Sequence, residues 1–252
     1  HPAGHRPGRI VVTPTPVTIP SLGRPELCAR TVRNLVTGGI PFDAVTVFLS
    51  DPTERPEYEA QYEISATPNI VDGVMGITAQ RNLQTRYYEN GAQLVCIDDD
   101  VTEILELVGN KLRPVTDIGT LFTQCFNAAQ VRLWGSNPTG NPFYMKNKST
   151  LGWKFAVGCL HGYVVDHALP DLTETVKEDY ERSALYFEAD GAVARFDWLT
   201  TNNRYGRTPG GCGTGTSRDE TNRVAAANLI RRWPYLFAYK RGSDTEIRCT
   251  LT

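Results

Sequence analysis

Apolar residues in this chain alternate between short contiguous runs and longer polar stretches in which they recur every third or fourth position. Pro16-Val17-Thr18-Ile19-Pro20 predicts a first strand, Phe42 to Ser50 a second that finishes in Asp51, and Pro68 to Val71 a short third. Between them, Pro25 to Leu35 predicts a helix with Pro25 in its first turn, Ser21 close enough to cap it and Gly38-Gly39 ending it. Pro52 to Tyr62 reads as a loop and a polar helix. Met75, Ala79, Leu83 and Tyr87, four residues apart, predict one side of another helix, stopped by Asn90-Gly91. The apolar run Leu94 to Ile97 is of strand length and ends in Asp98-Asp99-Asp100. A helical pattern covers Asp117 to Gln130, Trp134 to Lys154 reads as loop, Phe155 to Val165 as strand, and Glu178 to Asp190 as a helix closed by Gly191. Strands alternating with helices predict βαβ units, hence an α/β fold with a mostly parallel central sheet flanked by helices.

Composition narrows this only a little. At 252 residues the chain can bury a substantial core, and no repeat or clear linker divides it, so one domain over 13–252 is expected behind a Pro, Gly and Arg-rich tail at 1–12 expected to be disordered. No apolar stretch is of membrane-spanning length and no leader pattern opens the chain, which points to a soluble cytoplasmic protein with no membrane partner. The 6 cysteines lie singly with no C-x-x-C pair, as reduced core residues do, and 4 histidines are too few for a histidine-rich metal site. A net charge of -2 argues against wholesale electrostatic binding of nucleic acid but leaves room for a local basic face.

Candidate chemistry concentrates in three places. Consecutive carboxylates repel, and a hard cation bound through oxygen relieves that repulsion, so Asp98-Asp99-Asp100 is either a solvated turn or a metal site; its place at the end of a buried strand favours a site. Glu178-Asp179 opens a helix, where carboxylates suit the helix dipole; the alternative is that Asp179 is a general base. Thr208 to Arg218, with Gly210 and Gly211, is glycine-rich without a P-loop signature and is either a plain surface loop or a lid over phosphates.

Taken in order, these pieces resemble the GT-A glycosyltransferases, especially the family-2-like branch: Gly76 with Gln80-Arg81-Asn82, then Asp98 and Asp100 closing a strand, then Glu178-Asp179 at a helix start. With Ser21-x-x-Arg24-Pro25 in front and Gly210-Gly211 with Arg218 behind, the string is similar to the phage glycosyltransferases associated with TET/JBP oxygenases, over roughly Val17 to Tyr239. The resemblance implies a Rossmann-like GT-A domain, working in the host cytoplasm if phage-encoded, that uses a nucleotide-sugar donor, with a UDP-sugar expected. Asp98 and Asp100 would hold Mn²⁺ or Mg²⁺ on the donor diphosphate. Ser21, Arg24, Asp51, Gln80, Arg81, Asp98 and Asp99 would line the donor site, with Gly210, Gly211 and Arg218 folding over it. Asp179, beside Glu178, would be the catalytic base of an inverting transfer. One departure stands out: where many relatives carry a histidine ligand after the Glu-Asp helix, this chain reads Thr200-Thr201-Asn202-Asn203-Arg204.

The acceptor that the resemblance implies is a hydroxymethyl-pyrimidine, 5-hydroxymethylcytosine, in double-stranded DNA. Basic and aromatic residues between Phe143 and Lys154, with Arg204, Arg207, Arg231 and Arg232, are either DNA contacts or ordinary solvated charge, and Tyr144 and Trp153 either stacking platforms or core. A saccharide or small-molecule acceptor, or a non-catalytic nucleotide-sugar-binding module, are the competing readings.

Overall fold

The computed structural model describes residues 14–203 and 216–250, with the side chains of 216–218 outside that description. The tail expected over 1–12 lies outside the described residues, as do Gly210 and Gly211. In chain order the elements are β1 (Val17–Ser21), α1 (Pro25–Thr37), β2 (Val45–Leu49), α2 (Arg55–Glu59), β3 (Asn69–Asp72), α3 (Ile77–Tyr87), β4 (Gln93–Ile97), β5 (Val101–Val108), β6 (Lys111–Pro114), α4 (Ile118–Ala129), β7 (Leu133–Ser136), β8 (Ser149–Gly152), β9 (Leu160–Val164), α5 (Glu178–Asp190), β10 (Val193–Phe196), β11 (Leu199–Asn203), α6 (Thr216–Arg232), β12 (Phe237–Tyr239) and β13 (Ile247–Cys249).

Among the described residues, eight strands form one sheet in the order β3-β2-β1-β4-β9-β7-β10-β8. β3, β2, β1 and β4 run parallel, and β7 and β10 run parallel to each other. Because β9 is antiparallel to both β4 and β7, the carboxyl ends of β1 to β4, β7 and β10 all emerge at one edge. A second sheet, β11-β5-β6, and the β12-β13 ribbon flank it. β1 is buried at every position, as befits a central parallel strand covered on both faces. Its Pro20 costs nothing toward β4, because that pairing ends at Thr18–Cys96.

The main core gathers Val17, Ile19, Val47, Val95 and Ile97 from the strands under Val32 and Leu35 of α1 and Phe122 of α4, with Trp134 wedged beside Phe196. Close packing explains two glycines: a Cβ at Gly162 would come within 2.4 Å of the Trp134 ring, and one at Gly135 would meet Ala156 at 2.5 Å. Those glycines mark close packing inside strands, and so the segment from Trp134, expected to be loop, contains β7 and β8. Similarly, Phe42–Ala44 is a 3₁₀ turn and the second strand starts only at Val45.

The sharpest departure concerns α3. Met75 precedes the helix and is 62% exposed, Tyr87 is 51% exposed, and the buried residues are Thr78, Gln80, Arg81 and Gln84. The apolar stripe faces outward because the sheet beneath is itself polar there, offering Thr18, Cys96 and His161, and the helix meets it with hydrogen-bonding groups. Cys28, Cys96, Cys125, Cys159 and Cys249 carry free thiols. Among the described residues no helix is long and apolar enough to cross a membrane.

Candidate active site

The three aspartates after β4 do not splay into solvent; Arg24 lies against Asp99 and Asp100, and Arg81 holds Asp98. Asp99 turns inward, accepting from the Ser21 hydroxyl at 2.6 Å and from Arg24 Nη1 at 3.2 Å, while Ser21 also shares a 2.7 Å contact with the Tyr58 hydroxyl. Ser21 therefore does not cap α1, whose N-cap residue is Arg24 with no side-chain cap. Thr31 fixes the turn by donating to the carbonyls of Asp99 and Val101. Arg24 also lies 3.8 Å from the Asp100 carboxylate. Locking the middle aspartate into this network leaves Asp98 and Asp100 on either side of it.

Asp98 accepts from Arg81 Nη2 at 2.7 Å, and the same nitrogen donates to the Gly158 carbonyl at 3.1 Å. Burial pushes the Asp98 carboxyl up to about 7, with Arg81 opposing and Asp100, Asp99 and Glu178 adding to the rise. Asp179, in the first turn of α5, accepts from the Gly158 NH at 3.0 Å and from the Tyr180 NH at 2.9 Å. It too is pushed up to about 7, by burial first and then by Glu178 and Asp98, against those two amides. The acid-ended strand and the Glu-Asp helix, far apart in sequence, are thus linked through Gly158, whose carbonyl accepts from the Arg81 that holds Asp98 and whose NH donates to Asp179. Lys177, immediately before them, sits in the left-handed region at φ 61, one of two described non-glycine residues with positive φ. Backbone strain of that kind persists where surrounding contacts hold it, and it fixes the angle at which Glu178-Asp179 enters the site.

Several expected contacts fall elsewhere. Gln80 is fully buried, with its amide donating to the Phe48 carbonyl at 2.8 Å and accepting from the Val74 NH at 3.0 Å, so it braces the ends of β2 and β3. Asp51 caps a local turn by accepting from the amide and hydroxyl of Thr53. Arg232 is spent on the buried Glu181 at 2.6 Å and Arg231 on Asn228. Trp153 is core. Arg218 lies in the first turn of α6, its side chain outside the described residues together with Arg204 and Arg207. Tyr58 and Gly158 carry no signal in the sequence: the first lies in a polar helix and the second in an apolar run.

Among the described residues, no three His, Cys, Asp or Glu side chains are grouped to hold a metal by themselves. Thr201, where a histidine would be expected nearby, contacts the Cys159 thiol at 3.3 Å, and burial pushes that thiol up to about 12, leaving it protonated and a poor ligand. Asp98 and Asp100 are hard oxygen donors in a site where Asp100, Asp99 and Glu178 add to the raised proton affinity of Asp98. They fit a divalent cation, which they would hold together with oxygen donors from outside the protein.

This geometry links metal, pH and stability. Asp98 and Asp179 have folded values raised to about 7 from an ordinary 3.8, so their contribution to folding is fully present below the unfolded value and is lost as pH rises through about 7. A cation neutralising the cluster relieves that loss. Mn²⁺ is therefore expected to raise Tm more at about pH 8 than at about pH 5.5, by roughly 2–4 °C per kcal/mol of binding. Equal shifts at the two pH values in a thermal-unfolding assay would contradict the assignment.

No protein-family model matches the sequence, and no curated protein matches it significantly. Solved structures do. S. aureus TarS residues 1–349 superimposes with TM-score 0.54 at 11% identity over 86% of this chain and 66% of that one. The mannosyltransferase PcManGT from Pyrobaculum calidifontis, in complex with GDP-Man and Mn²⁺, gives 0.52 at 15% identity over 88% of this chain and 67% of that one. A longer S. aureus TarS structure gives 0.50 at 11% identity, this chain spanning 40% of its length. These neighbours are GT-A-like glycosyltransferases, and the mixed α/β architecture with its large, mostly parallel sheet is theirs.

Proposed function

We propose that the protein is a divalent-metal-dependent, inverting glycosyltransferase that moves a sugar from a nucleotide-sugar, a UDP-sugar by expectation, to a hydroxymethyl-pyrimidine, 5-hydroxymethylcytosine, in double-stranded DNA. The observation that carries the transferase reading is the chain of contacts from Asp98 through Arg81 to Gly158 and on to Asp179, which ties the acid proposed to bind a cation to a half-buried carboxylate of raised proton affinity. The ordered motif string of the sequence supports the DNA acceptor.

In this reading Ser21, Arg24 and Asp99 border the nucleoside end of the donor, and Asp98 and Asp100 face its diphosphate. A divalent cation held by Asp98 and Asp100 would supply stabilisation of negative charge on the leaving diphosphate. Asp179 takes the proton from the acceptor hydroxyl as that oxygen bonds to the anomeric carbon and the bond to the diphosphate oxygen breaks, which inverts the centre in one displacement. Arg81 aims Asp98 and opposes the rise in its proton affinity. The PcManGT complex with GDP-Man and Mn²⁺ supports a nucleotide-sugar and a divalent cation in this fold.

The direct test incubates the protein with duplex DNA containing 5-hydroxymethylcytosine, Mn²⁺ and a panel of nucleotide-sugars, and reads nucleoside mass. A hexose-sized gain on the modified base with at least one donor is the expected result. Donor turnover with unmodified DNA would replace the acceptor by a saccharide or small molecule; no donor binding at all by calorimetry would remove the enzyme reading.

A further inference from the structure

The turn after β7 is unusual in what it displays and in what it lacks. Phe143 is 84% exposed and Tyr144 67% exposed, their rings 5.0 Å apart and perpendicular. Large aromatic rings left in water on a rigid turn signal a missing partner more strongly than scattered apolar residues do. This turn is rigid: Asn141 accepts from the Phe143 NH at 3.0 Å, buried Met145 anchors its far side, and Thr200 of β11 donates to the Thr139 carbonyl at 3.0 Å. Lys146 and Lys148 follow, both exposed, and among the described residues neither pairs with a carboxylate. From Leu133 to Val165 the chain contains no aspartate or glutamate.

Position ties the turn to the candidate active site. It leaves the carboxyl end of β7, at the same sheet edge as Asp98, on the side opposite β2 and β3. Thr201, next to the Thr200 that holds the turn, touches Cys159, whose carbonyl accepts from the Asp98 NH.

We propose that Phe143 and Tyr144 form the acceptor platform, on which an unstacked nucleobase of a DNA strand rests while Lys146 and Lys148 hold the adjacent phosphates. This rests on the glycosyltransferase reading and assigns that site its acceptor-binding residues. A saccharide would also stack on aromatic rings, but an acid-free stretch with two free lysines selects a polyanion bearing flat rings, which is nucleic acid. The perpendicular rings leave one aromatic face open for stacking and use the other as a side wall.

The test compares wild type, Phe143→Ala with Tyr144→Ala, the conservative Phe143→Trp, and Lys146→Gln with Lys148→Gln. It reads fluorescence anisotropy of a 5-hydroxymethylcytosine oligonucleotide, the KM for that DNA, and donor hydrolysis without acceptor. The double alanine variant is expected to weaken DNA binding and raise its KM roughly 5- to 150-fold, with donor hydrolysis unchanged and Phe143→Trp close to wild type. The lysine pair is expected to reduce the slope of log affinity against log salt by about 1.4–1.8. Wild-type DNA binding in both double variants overturns the platform, as does a raised KM for a saccharide acceptor with no change in salt slope. Because anisotropy needs no turnover, it judges the platform even if the wild type transfers no sugar; that outcome would refute the transferase reading alone.

Discussion

Asp179→Asn is expected to lose about 10²- to 10⁴-fold in the rate of sugar transfer while still binding nucleotide-sugar. The amide is nearly isosteric, and its one oxygen can keep the Gly158 NH that Asp179 accepts at 3.0 Å, so the link to Gly158 survives while the proton acceptor and the local contact with the Tyr180 NH are lost. The pH dependence carries the same signature. A base pushed up to about 7 must be ionised to work, so wild-type activity rises with pH through about 7 and then levels, and a nearby cation, by favouring the anion, moves that limb downward. Single-turnover rates across pH measure both; undiminished transfer by the variant would remove Asp179 from the role.

Arg81→Met is expected to cost about 3 kcal/mol of folding stability, lowering Tm by roughly 6–12 °C, and to abolish metal-dependent donor binding. Arg81 is 1% exposed, and its two terminal nitrogens serve Asp98, the Gly158 carbonyl and Gln84, so losing the guanidinium leaves Asp98 without its counter-charge and the Gly158 peptide without its anchor. Arg81→Lys does not rescue, because a single ammonium cannot span three acceptors in fixed directions. Circular dichroism melting and calorimetry with donor and Mn²⁺ check this; a wild-type Tm in Arg81→Lys would show that charge alone suffices.

How far the sequence speaks can be seen residue by residue. The Leu94 to Ile97 strand, α4 and the Gly191-closed α5 were legible because each carries an apolar pattern of the right period or length, while the Asp117 cap of α4 emerges only in the structure. α3 was legible as a helix but not in its facing, since periodicity assumes an apolar partner surface and the surface under Gln80, Arg81 and Gln84 is polar. The acids of the site were visible as motifs, whereas Tyr58 and Gly158 act through a hydroxyl and a backbone peptide that tertiary packing alone brings there. The segment from Trp134 reads as loop and yet holds β7 because Gly135 owes its place to the close approach of Ala156, which no local pattern shows.

The Gly158 peptide has a further consequence. Electron density drawn toward Arg81 at its carbonyl acidifies the neighbouring amide bonds of the backbone, and the residue's own NH reports directly on the charge of Asp179. A backbone label at this one glycine would therefore act as a two-ended sensor, with its carbonyl resonance following donor loading and its nitrogen resonance following proton transfer. By thermodynamic reciprocity, whatever filling the first pocket does to the proton affinity of the second carboxylate, protonating that carboxylate does in equal measure to the first pocket's hold on its cargo.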